Sequence, residues 1–292
     1  GIGGRLRVRR SASETAAGWE VTRDRGDMNA LESITGRDSC LIGVIHLLPL
    51  PGSAGWGGDM RLVEERALAD ATALEATGFD ALIIENFGDA PFSREFAGRG
   101  AVAAMAAVGA RVSSRVGLPM GVNVLRSDGL SAVAVAAAVG GRFVRINVHI
   151  GAAVTDQGII QGDARETLLA IRSLKPDLEV FADVFVKHAT PLGSASIEQS
   201  ARELVERGRA GAVIVTGEMT GSPGSAEDLR RVRAAVPDTP LIVGSGVTAE
   251  SVADVMGVAD GVIVGSAIME GGAAAHPIDP ARAEAFVRAA RQ

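Results

Sequence analysis

Eight short runs rich in Val, Ile and Leu recur between residues 41 and 265, each followed by an Ala-rich amphipathic stretch. They are LIGVIHL (41–47), ALIIEN (81–86), MGVNVL (120–125), FVRINVHI (143–150), EVFADVFVK (179–187), AVIVTG (212–217), LIVG (241–244) and GVIVG (261–265). Alternation of this kind marks repeated βα units and a parallel sheet. Eight units in a chain of 292 residues fit one (β/α)8 TIM barrel, a fold that commonly takes about 250 residues as a single domain. An open doubly wound sheet would carry a Gly-rich fingerprint after an early strand, and none stands there.

The barrel domain is expected to run over 39–292, with 1–38 as a poorly ordered N-terminal tail. That tail holds Arg and Ser with little apolar periodicity and no hydrophobic core of a secretory signal. Glu14, Glu20, Asp24 and Asp27 conflict with the scarcity of acids in a transit peptide, and Met28 is a candidate native start. A net charge of −6 argues against a general nucleic-acid surface, which needs a basic face to displace counterions. No apolar run is long enough for membrane insertion. The single cysteine, Cys40, forms no intrachain disulfide and suits a reducing, cytoplasmic setting. A homo-oligomer is the expected assembly.

The last two runs end on nearly bare residues, Gly244-Ser245-Gly246 and Gly265-Ser266. Glycine lets the backbone approach a ligand, and the N–H groups of such turns make anion sites. The loops after strands seven and eight of a barrel often build a phosphate site, so these five residues are read as a phosphate cradle. A tight βα turn is the plainer alternative.

Strand parity sorts the remaining polar residues. In the fourth run Val144, Ile146, Val148 and Ile150 form the outward row, leaving Arg145, Asn147 and His149 to face the lumen; in the fifth, Phe181, Asp183, Phe185 and Lys187 face inward. Polar groups placed inward cost desolvation unless paired, so a site explains them better than packing does. The candidate catalytic set is Asp183, Lys187, Glu85, His46, Asn147 and His149. Further substrate contacts are assigned to Asn86, Asn123, Arg126, Asp156, Thr216 and Glu218, the Asp156 assignment resting on the long segment 151–162, which reads either as a closing loop or as a surface or subunit contact. Arg145 is expected to brace carboxylates. Lys187 fits an ion pair with Asp183 or Glu85 as well as a phosphate or carbonyl contact. Phenylalanines beside Asp183 would raise its pKa toward acid–base work.

His46, His149, Glu85 and Asp183 together could hold a divalent metal, although no HxH or HxxxH spacing supports it. Scarce aromatics and the lack of tyrosine disfavour, without excluding, ring stacking of FMN.

The motifs IGVIHLLPLPG, IIENFGDAPF, GVNVLRSD, RINVHIGAAVTDQGIIQG, FADVFVKHATPL, VIVTGEMTG, LIVGSGVT and DGVIVGSAI together resemble the BtpA/SgcQ family of aldolase-type barrels, over roughly Leu41 to Val287. Leu48 and Ile150 stand where the family often has proline and threonine, the second making the end of the fourth strand less polar. The resemblance implies a cytoplasmic (β/α)8 protein. The family is named for photosystem I biogenesis, and related members occur beside sugar-metabolism functions, so the resemblance leaves the reaction open and brings no established catalytic residue. Two classes follow: an enzyme acting on a phosphorylated sugar or nucleotide-derived compound by proton transfer or C–C or C–N chemistry, and a non-catalytic assembly factor. An FMN-binding barrel is a third.

Overall fold

A computed structural model describes residues 28–186, 189–193, 195–216 and 223–292. Each of the eight apolar runs forms a parallel strand: β1 (Cys40–His46), β2 (Ala81–Glu85), β3 (Met120–Asn123), β4 (Phe143–Ile146), β7 (Glu179–Asp183), β9 (Ala212–Val215), β10 (Leu241–Val243) and β11 (Gly261–Val264). They close in the order β1-β11-β10-β9-β7-β4-β3-β2. Helices α2 (Met60–Thr77), α3 (Arg99–Arg115), α4 (Gly129–Val139), α5 (Ala164–Leu174), α6 (Ile197–Glu206), α7 (Pro223–Ala235), α8 (Val252–Met256) and α9 (Pro280–Ala290) follow the strands. The eight-unit barrel read from the sequence is the fold.

Each strand stops short of the run read for it, and two stop four residues short. β4 ends at Ile146 and β7 at Asp183, because the ladder gives out there: the β4–β7 register ends at Ile146↔Ala182 and the β7–β9 register at Asp183↔Ile214. The chain beyond β4 turns away, held by Ser127, whose hydroxyl donates to the Val148 carbonyl and accepts from the Val148 N–H. Segment 151–162, read as a loop, is instead a hairpin of β5 (Ala152–Thr155) and β6 (Gly158–Gln161), to which β8 (Thr190–Pro191) adds a third antiparallel strand.

The lumen is filled from the N-terminal end by apolar side chains: Ile42, Val44, Ile83, Phe143, Phe181, Ile214, Ile242 and Ile263 among others. Phe143 and Phe181 stack with ring centroids 4.5 Å apart. Gly121 makes this possible, since a Cβ there would lie 2.2 Å from the Phe143 ring.

The floor has one more element, drawn from the end of the segment read as tail. Helix α1 (Ala30–Thr35) is opened by a capping box between Asn29 and Glu32, and Ala30, Leu31 and Ile34 join the inner apolar cluster. Residues 28–38, assigned to the tail, thus include a plug on the barrel floor, with Arg142 donating to the Ser33 carbonyl. Six residues are too few for a periodic pattern to stand out. Residues 1–27 lie outside the described part.

Candidate functional site

Above the apolar floor, the next inward position on every barrel strand, or just past its end, is polar or bare: His46, Glu85, Asn123, Arg145, Asp183, Thr216, Gly244 and Gly265. The register aligns them, with His46 beside Glu85, Glu85 beside Asn123, and Asn123 beside Arg145. This level is the C-terminal mouth, where barrels of this kind carry their chemistry.

One half of the mouth is a buried network. Arg145 grips Asp183 with two bonds, Nε to Oδ2 at 3.2 Å and Nη2 to Oδ1 at 3.1 Å. Asn147 donates to the same Oδ2 at 2.7 Å. Asn123 in turn donates to the Asn147 side-chain oxygen Oδ1 at 3.2 Å and to the Arg145 main-chain carbonyl at 3.0 Å. Burial pushes the Asp183 carboxyl above its ordinary value against the pull of Arg145 and Asn147. For Arg145, burial works against the charge, but Asp183 and Glu85 outweigh it, so the guanidinium is held more firmly protonated. Arg145 therefore braces a carboxylate, as its position suggests.

The other half is built on His46. Its Nδ1 lies 2.7 Å from the Ala274 carbonyl, an arrangement that requires an N–H on Nδ1 and leaves the opposite nitrogen basic whenever the ring is neutral. That nitrogen, Nε2, lies 3.7 Å from Oε1 of Glu85. The ring also stacks on Phe87, centroids 4.4 Å apart.

The bare strand ends are packed against these two halves. A Cβ on Gly265 would stand 3.0 Å from Cε1 of His46; one on Gly244 would stand 2.5 Å from Ile214 and 3.3 Å from Nη2 of Arg145. Gly246 has φ +71°, a left-handed backbone that favours glycine. Ser245 is half-buried, while Gly246 and Ser266 are exposed, Ser266 opening the single 3-10 turn Ser266–Ile268.

Some assignments change. His149 lies past the end of β4, where strand parity no longer governs, and its Nε2 meets the Gly208 carbonyl at 2.8 Å. It is a buried framework histidine, and burial lowers its pKa. Asn86 is also framework: its amide oxygen accepts the Leu125 N–H at 2.7 Å and its nitrogen donates to Asp89 at 3.1 Å, tying the ends of β2 and β3 together. Asp156 sits exposed at the hairpin tip beside Gln157, away from the Asp183 network. The Thr216 hydroxyl donates to the Phe185 carbonyl at 2.9 Å. Arg126, just past β3, is near enough for its charge to act on Asp183. Lys187 and Glu218 lie outside the described residues.

Among the described residues, no three His, Cys, Asp or Glu side chains gather to hold a metal ion. His149's departure from the lumen removes one member of the set considered from sequence. A cavity of about 180 Å3 opens from Asn147 and Asp183 between the hairpin, Leu192 and α6, where Ser200 and Glu203 face it. No sequence pattern announced it, since part of its wall comes from a hairpin read as a loop. Equally silent was the Ala274 carbonyl, a backbone group with no signature of its own.

Fold and mouth together define a (β/α)8 barrel with a charged, hydrogen-bonded site at the C-terminal ends of its strands. Among the described residues no helix is long and apolar enough to cross a membrane. The model of the BtpA family matches residues 37–292, and the chain belongs to that family. A relative named "Photosystem I biogenesis protein BtpA", from Synechocystis sp., is 45% identical over 249 residues, 85% of this chain and 87% of that one. An uncharacterized protein of Thermococcus kodakarensis is 44% identical over 86% of this chain and 95% of its own. The "Putative sgc region protein SgcQ" of Escherichia coli is 28% identical over 89% and 97%. Among solved structures, thiamine phosphate pyrophosphorylase from Pyrococcus furiosus aligns with TM-score 0.53 at 17% identity, covering 87% of this chain and 96% of that one. A tryptophan synthase chain from M. tuberculosis aligns with TM-score 0.56 at 20% identity, covering 90% and 97%. These two likenesses concern the fold.

Proposed function

We propose that the mouth is the active site of an enzyme that binds a phosphorylated small molecule, a sugar or nucleotide-derived phosphate, and moves protons on it in an isomerisation or in C–C or C–N bond chemistry. The observation that carries this reading is the change of level along the strands, from apolar floor to a mouth where His46, Glu85, Arg145, Asn147 and Asp183 converge. A barrel needing only stability has no use for such a layer, because buried charge is weak evidence of stabilisation and costly to desolvate. His46 and Glu85 are the proton-transfer pair, side by side on β1 and β2. Asp183, locked by Arg145 and Asn147, holds charge and orientation on the opposite wall. Gly246, Gly265 and Ser266, beside both walls, offer backbone N–H groups to the phosphate, whereas the Gly244 N–H is spent on the Val215 carbonyl at 2.9 Å and Gly244 serves by leaving room. Purified protein that is yellow would point to the flavin alternative, and activity lost to a chelator would point to a divalent metal. The protein is expected to work in the cytoplasm as a homo-oligomer, which light scattering checks.

Native mass spectrometry of the gently purified protein tests the phosphate reading. Wild type should retain a phosphorylated metabolite that Ser266→Asp loses. Ser266 is the better target than Gly265, where any side chain would also displace His46. Retention that is equal in both proteins, or of a compound without phosphate, overturns the reading.

The 45% identity to a protein named for photosystem I biogenesis favours a second reading, an assembly factor acting through its outer surface. Glu85→Gln separates the two. An enzyme loses turnover and stays folded, whereas an assembly factor keeps its function.

A further inference from the structure

Among the described residues, the most deeply buried acid outside the mouth network is Asp70 on α2, 1% exposed. It shares the helix's buried stripe with Val63, Ala67, Ala71 and Leu74, a row where an apolar residue would pack without desolvating a charge. What the carboxylate does there is specific. One oxygen accepts the Ile278 N–H at 2.9 Å, and the other accepts from Nε of Arg66 at 2.9 Å.

Ile278 is the neck of a closed loop. After β11 the chain runs through the turn Glu270–Gly272 and returns so that Met269 bridges Ile278 antiparallel. The Glu270 N–H donates to the Pro277 carbonyl at 2.9 Å and the His276 N–H to the Ala273 carbonyl at 3.0 Å. His276 Nδ1 adds a bond to the Glu270 carbonyl at 3.0 Å. Inside this loop lies Ala274, whose carbonyl meets Nδ1 of His46 at 2.7 Å. Met269 and Ile278 are buried, so the neck cannot slide without uncovering both.

We infer that Asp70 is a positioning residue: by anchoring Ile278 it holds the Ala274 carbonyl in place, and so fixes neutral His46 in the tautomer with its proton on Nδ1 and a bare, basic Nε2. The inference rests on the reading of His46 as the mouth's proton-transfer group. It also specifies what the substrate must offer. With its proton on Nδ1, His46 offers Nε2 as an acceptor beside the carboxyl oxygen Oε1 of Glu85, the two atoms 3.7 Å apart and beyond hydrogen-bonding distance of each other. They present a paired acceptor to one substrate proton, on a hydroxyl, an amine or an acidified C–H. A ring locked this way needs no rotation before it takes that proton, which is the use of a fixed orienting partner.

Long-range 1H–15N spectra of the full-length protein labelled at its histidines read the tautomer directly, with the His46 signal assigned by its loss in His46→Gln. Near pH 8, wild type should show His46 Nε2 in the unprotonated range and Nδ1 in the protonated range. Asp70→Leu, which keeps the packing and removes the anchor, should shift Nε2 toward the protonated, exchange-averaged position. Asp70→Asn, which keeps an oxygen for the Ile278 N–H, should restore the wild-type pattern. The inference is overturned if wild type carries its proton on Nε2, or if folded Asp70→Leu keeps the wild-type pattern. Should Asp70→Leu fail to fold, Asp70→Asn still decides through its amide orientation, with Arg66→Met read beside it: both should keep the Nδ1–H signal, and loss of that signal in Asp70→Asn with Ile278 still protected from amide exchange overturns the inference. None of these spectra depends on phosphate binding, so a protein that binds no phosphate yet shows this pattern would refute the functional reading alone.

Discussion

The floor and the mouth of this barrel are made by the same eight strands, two residues apart, and obey different rules. At the floor, Phe143 and Phe181 stack in the lumen, Gly121 clears room for them, and α1 seals the end with Leu31 and Ile34. One step along, β4 presents Arg145 in place of Phe143, β7 presents Asp183 in place of Phe181, β1 presents His46 and β2 Glu85. The floor is chosen for volume, and the mouth for charge and hydrogen bonding.

Substitutions can break or sharpen this contrast. The largest effect is expected from Asp183→Asn, which removes one partner of a buried ion pair and leaves Arg145 uncompensated. Such a loss costs about 3–5 kcal/mol, and catalysis should fall as well. Chemical denaturation against wild type checks it, and an unchanged midpoint would mean that the pair is solvated. Viewed from sequence, the change is a near-isosteric swap; the two-bond grip of Arg145 is what makes it severe.

Phe181→Ala should cost about 3–5 kcal/mol through the cavity it opens, with binding at the mouth retained once the folded fraction is counted. Loss of binding in the folded fraction would show that the two levels are coupled. Gly121→Ala places a Cβ against the Phe143 ring, and overpacking of this kind costs about 1–3 kcal/mol, read as a lower denaturation midpoint.

His149 gives a milder, pH-dependent effect. Burial depresses its folded pKa below the unfolded value of about 6.5, so under acid the unfolded chain binds the proton first. Stability is therefore present above that pH and is lost as pH falls from about 6.5 toward the folded pKa. His149→Gln should flatten that slope, and identical slopes would return His149 to solvent. The smallest effect belongs to the plug: Asn29→Ala removes the cap of α1 and should cost about 1 kcal/mol, leaving the mouth untouched.

The floor and the lumen-facing parity were legible because a strand has a period of two and eight strands repeat it. Arg145, Asn147 and Asp183 fall where that rule puts them. It failed at His149, because β4 ends when its neighbours stop pairing, and a strand's end depends on partners far along the chain. Asn86 misled because a short amide at a strand end serves backbone bracing as well as binding. Helix α1 was too short to announce itself, and the hairpin at 151–162 carried an Asp156-Gln157 turn too plain to separate from a loop. The Ala274 carbonyl and its anchor at Asp70 lie 204 residues apart, a juxtaposition that only the closed barrel creates.

The proposal makes the mouth a phosphate-binding active site and the floor its support. A thermal-unfolding screen with a panel of phosphorylated sugars and nucleotides measures this most directly, wild type beside Ser266→Asp. A ligand at about one hundred times its Kd adds about 2.7 kcal/mol to the folded state. The account predicts a clear rise in Tm for wild type with at least one phosphorylated compound, absent with its dephosphorylated form and absent in Ser266→Asp. Equal rises in both proteins, or a rise only with unphosphorylated compounds, would contradict it.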